Sequence, residues 1–128
     1  MLFFMKKWNR QKINQERVQE LLEQIAKYKE FIEKALKLLE VMKDHESEEC
    51  FAKRKKAKED LINLRETVCL PENRCLKTYR IKVVNAINGI DEYSVYSKVQ
   101  ILGIEAEMKE VYQELCDDEK LVKELKKN

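Results

Sequence analysis

Glycine and proline are almost missing from this chain, with two glycines and one proline in 128 residues. Sandwiches, barrels and doubly wound folds depend on many tight turns and Gly-rich loops, so the scarcity argues against all three. Histidine is nearly absent as well, His45 being the single one. Paired Glu-x-x-His motifs of a di-iron bundle are therefore excluded. No Gly-rich phosphate loop and no nucleophile elbow occurs either. The expectation is a protein that is not an enzyme and holds no cofactor.

Long apolar runs are lacking too. The longest near the N-terminus, Met1 to Met5, gives way to Lys6 and Lys7, far short of the roughly 20 residues that span a bilayer. A secretory signal would place its positive residues before the apolar run, and here the order is reversed. No membrane span and a cytoplasmic location are expected.

The four cysteines, at 50, 69, 75 and 116, form no C-x-x-C pair, and they read chiefly as small core residues in the thiol state. A minor alternative is a metal or redox site. In an up-down-up-down bundle Cys69, Cys75 and Cys116 fall toward one end, although zinc would still need a fourth ligand. Asp44, His45, Glu46, Glu49 and Cys50 offer mixed ligands on paper, but acids ahead of and inside a helix's first turn are what capping and the helix dipole already favour.

What is present is apolar and charged in nearly equal measure: 44% hydrophobic and 39% charged residues. From Arg10 to Lys43, Val18, Leu21, Ile25, Tyr28, Ile32, Ala35, Leu39 and Met42 step by three and four, and Leu22 and Leu36 widen the stripe beyond a two-stranded seam. A helix of that length runs about 50 Å. Ser47 is a candidate N-cap for a second, shorter helix that ends near Val68, ahead of Pro71.

Residues 76–90 fit two templates. As a helix, Leu76, Tyr79, Val83, Ala86 and Ile90 share a face, with Gly89 as a left-handed C-terminal residue and Asp91 as the next N-cap. As a hairpin, Asn88-Gly89 supplies the turn and gives an α+β fold. The helix misplaces fewer apolar residues and is preferred. A last helix over about 91–126 carries Ile101, Ile104, Met108, Val111, Leu115, Val122 and Leu125, interrupted by Asp118 at a core position; Gly103 leaves room for a close approach or a bend.

The fold expected is all-α, an antiparallel helical bundle with two long heptad-patterned helices and two shorter ones. Residues 1–9 would be a tail and 10–128 a single domain. Two short helices should leave the ends of the long ones uncovered. The chain is then expected to act as a protein-binding or assembly module, a homo-oligomer or the partner of another helical protein. Its interface would be Val18, Leu21, Leu22, Ile25, Met108, Val111, Leu115, Val122 and Leu125.

Charge suggests an alternative. Residues 53–82 hold ten Lys or Arg against four Asp or Glu, a net of +6, whereas 91–119 hold nine acids against two lysines, a net of −7. Lys53, Arg54, Lys55, Lys56, Lys58, Arg74, Lys77, Arg80 and Lys82 form a candidate nucleic-acid contact, with Tyr79, Tyr93 and Tyr96 available to stack on bases. The plainer account is a solvated face offset by the acidic helix.

Overall fold

In a computed structural model, residues 15–43, 49–91 and 98–127 are described. They form four α-helices: α1 Gln15–Met42, α2 Glu49–Val68, α3 Lys77–Asp91 and α4 Lys98–Lys127, with a 3₁₀ turn at Pro71–Asn73 between α2 and α3. No strand occurs among the described residues, so Asn88-Gly89 does not turn a hairpin. The expected N-cap Ser47, the tail 1–9 and the tyrosines at 93 and 96 lie outside the described residues.

α1 packs on α2 and α4, and α3 packs on the same two, leaving α1 opposite α3 and α2 opposite α4 across the bundle. Contacts of Lys29 with Glu119, Tyr112 with Glu33 and Lys43 with Glu105 set α1 and α4 antiparallel. Lys82 to Glu114 does the same for α3 and α4. The predicted stripes meet in one core, where Ile25, Ile32, Leu39, Leu61, Ile87, Ile101, Met108 and Leu115 are fully buried. Each contributes roughly 1.5–3 kcal/mol relative to exposure.

Three local expectations are corrected. Gly89 lies inside α3 without a positive φ; it sits under Ile104, whose Cδ1 is 3.6 Å from where a Cβ would stand. Asp91 is the last residue of α3 and not the cap of α4. Gly103 faces open space, with nothing within 4 Å of a Cβ position; no backbone approaches it.

Asp118 has a partner that the heptad could not reveal. Its carboxylate, 6% exposed, accepts a hydrogen bond from the buried Tyr79 hydroxyl at 2.5 Å. Burial, and next the bond to Asp118, push the Tyr79 phenol well above its ordinary range.

The α2–α3 connection is equally built. Asn73 Nδ2 donates to Thr67 O at 2.7 Å, and Lys27 Nζ donates to Asn73 Oδ1 at 3.0 Å. The Tyr28 hydroxyl faces the carbonyls of Asn73 and Cys75 at 2.6 and 2.8 Å. Arg74 Nε donates to Cys69 O at 2.9 Å. Leu76 then enters α3 at φ 46°, a left-handed value uncommon for leucine.

Candidate functional site

The connection lies along α1 instead of closing tightly at the tip of α2. Pro71, Glu72, Arg74 and Cys75 face Glu20, Glu23, Gln24 and Lys27 across a shallow groove of about 340 Å³. The short helices and this turn together thus reach most of the length of the long ones. This removes the reason to expect uncovered ends. Val18, Leu21, Ile25, Met108, Val111, Leu115 and Val122 are buried within one chain, and Leu22 and Leu125 are half-buried against the same core. The nine residues expected at an interface are core residues.

The thiols do not assemble. Cys69, Cys75 and Cys116 are free and half-buried, and among the described residues no group of three or more His, Cys, Asp or Glu is placed to hold a metal. Burial pushes the Cys75 thiol upward, against the pull of nearby Lys27 and Arg80, so it is a poor nucleophile. The set Asp44, His45, Glu46, Glu49 and Cys50 lies outside the described side chains.

The basic strip is divided. Lys53, Lys55 and Lys56 are exposed and Arg54 and Lys58 half-exposed near the start of α2. Arg74, Lys77, Arg80 and Lys82 lie at the opposite end, around the α2–α3 turn. The two groups are about 20 Å apart by helical rise. Within the second group Arg74 is engaged by Cys69 O and Lys82 by Glu114, and Tyr79 is buried in the core. The nine cations therefore do not make one continuous surface.

Beside the first group Phe51 is 63% exposed, with the Arg54 guanidinium 5.9 Å from its ring centroid. Lys56 pairs with Asp60 at 3.0 Å. At the diagonally opposite corner, α4 presents Val99, 76% exposed, and Leu102, 44% exposed. Gly103, Ala106, Glu107 and Glu110 follow on its exposed surface. Sequence reasoning marked the charges of both corners but missed their apolar neighbours. The signal was there: Val99, Leu102 and Phe51 fall off the core stripes.

Several charges serve the bundle. Lys43 bridges Glu40 at 2.6 Å and Glu105 at 2.7 Å; the hydrogen bond from Lys43 holds the Glu105 carboxyl below its ordinary range, and the same contacts raise the Lys43 ammonium. Lys29 lies 3.4 Å from Glu119 and 5.4 Å from the Tyr112 ring centroid. No buried side-chain nitrogen or oxygen among the described residues lacks a partner. No helix among them is long and apolar enough to cross a membrane.

The chain matches no protein-family model, no curated protein and no solved structure.

Proposed function

We propose that this chain is a non-catalytic helical interaction and assembly module that engages its partner through the outward faces of its helices. The observation that carries the reading is the separation of charge across the bundle. The exposed cations at the start of α2 and the exposed acids of α4 stand on helices that do not touch, so neither face can be neutralised by the other within one chain. Surfaces of opposite sign steer association and fix its orientation.

A second reading, nucleic-acid binding by Lys53, Arg54, Lys55, Lys56 and Lys58, is favoured by the exposed Phe51 ring among these cations, an arrangement suited to a stacked base. One experiment separates the two. Molar mass by light scattering is measured across protein concentration at low ionic strength, with and without a generic DNA duplex and a single strand. Mass that rises with protein alone and ignores nucleic acid supports assembly. A salt-sensitive shift only when nucleic acid is added supports the second reading and overturns the first.

A further inference from the structure

The proposal here rests on the assembly reading and names its contact. We infer that the partner is a second copy of this chain, whose α4 receives the start of α2 in a head-to-tail contact.

Three features of the bundle lead to it. First, α2 and α4 run in the same direction at diagonal corners, because each is antiparallel to α1 and α3. A copy displaced sideways along that diagonal, without rotation, brings its α2 parallel to the α4 of its neighbour. Second, the heights agree. Lys43, one residue past the end of α1, contacts Glu105, and α2 starts at Glu49 from that same end of the bundle. Phe51 therefore stands within about a turn of Glu105, at the height of Val99 to Ala106.

Third, the chemistry of the two faces alternates in the same order. On α2, Phe51 and Ala52 are followed by Lys53 and Lys56; on α4, Val99, Leu102, Gly103 and Ala106 are followed by Glu107 and Glu110. The lysines and the glutamates share an i, i+3 spacing, so both pairs come into register together. Gly103 has open space around it and Ala106 is exposed, which leaves a low, apolar surface for the Phe51 ring. Glu107 and Glu110 have no hydrogen-bond or ion-pair partner among the described residues. An antiparallel approach would set the cations against Val99 and Leu102, and it loses both the charge and the apolar match.

The contact is heterologous: each copy uses α2 toward one neighbour and α4 toward the other. Such contacts give closed rings or open filaments, never a symmetric pair.

The test uses two charge reversals, Lys53→Glu with Lys56→Glu and, separately, Glu107→Lys with Glu110→Lys, in the full chain. All four side chains are exposed, so folding is checked by circular dichroism, with Lys53→Gln and Lys56→Gln as a milder variant. At ionic strength of about 0.01 M, where charges act over about 30 Å, the parent should exceed the one-chain mass in light scattering, and it should return to one chain at about 1 M. Each reversed variant alone should stay at one chain. An equal mixture of the two should regain the parent's mass, because each supplies the face the other needs. If the reversed variants associate as the parent does, or the mixture fails to recover, this contact is overturned while assembly through another face stands. A parent that keeps the one-chain mass at every concentration overturns both.

Discussion

Replacing Tyr79 with Phe removes one oxygen from the core and leaves the Asp118 carboxylate, 6% exposed, without its donor. A hydrogen bond to a charged acceptor has a net worth of about 1.5–3 kcal/mol, so Tyr79→Phe should destabilise the bundle by that amount. Asp118→Leu restores the apolar residue that the heptad asks for, yet it leaves the buried Tyr79 hydroxyl unpaired at about 1–3 kcal/mol. The double variant removes both polar groups and should be as stable as the parent or more so. The pair's coupling is then about 2 kcal/mol. Urea unfolding followed by helical circular dichroism reads it directly. In a thermal scan Tyr79→Phe should lower Tm by roughly 6–12 °C, at about 4 °C per kcal/mol for a domain of this size. If Tyr79→Phe stays within about 0.5 kcal/mol of the parent, or the two single effects simply add, the hydrogen bond does not hold α3 to α4 as argued.

Alkaline pH should unfold the chain through its buried phenols. Tyr28 and Tyr79 are both held above the ordinary value near 10, in each case chiefly by burial, so their stabilising effect is complete below pH 10 and is lost above it as the unfolded chain ionises first. Stability should fall by up to about 2.7 kcal/mol per pH unit for the two, and Tyr79→Phe should roughly halve that slope; an unchanged slope contradicts the assignment. At the acid end the sign reverses, since Glu105 is held below 4.5 by Lys43. The difference in Tm between the parent and Glu105→Gln should be present above pH 4.5 and close as pH falls below it; a difference independent of pH would show that the ion pair is not its source. Asn73→Ala removes two hydrogen bonds from a side chain that is 5% exposed and should cost about 2–3 kcal/mol in urea unfolding, against about 0.5 or less for Glu72→Ala on the exposed side of the same turn.

The stripe of α1 was legible because it repeats without a break for eight positions and had no competing template. Residues 76–90 were harder, since five apolar residues at helical spacing coincide with an Asn-Gly dipeptide. The helix prevails because Tyr79, Val83, Ala86 and Ile90 all reach the core, whereas a hairpin would turn half the apolar set to water. The buried partner of Asp118 was not legible: the hydroxyl lies 39 residues away, and nothing in a heptad says which facing residue meets a polar intruder. The course of the α2–α3 turn was hidden for the same reason, and with it the coverage of the long helices. The failed interface follows from that one gap, because a short tight loop was assumed where eight residues lie along α1.

The largest contact of α1 is with α4, the last helix described, rather than with its sequence neighbour α2. Synthesis runs from α1 toward α4, so during translation Ile25, Ile32 and Leu39 wait, with their main cover not yet made. The α2–α3 turn waits on nothing later than itself, since the Tyr28 hydroxyl that shapes it is already present. A nascent chain that has emerged as far as α3 can therefore hold a three-helix intermediate with one open seam. That seam is the surface a holding chaperone would meet, and release of α4 from the ribosome closes it.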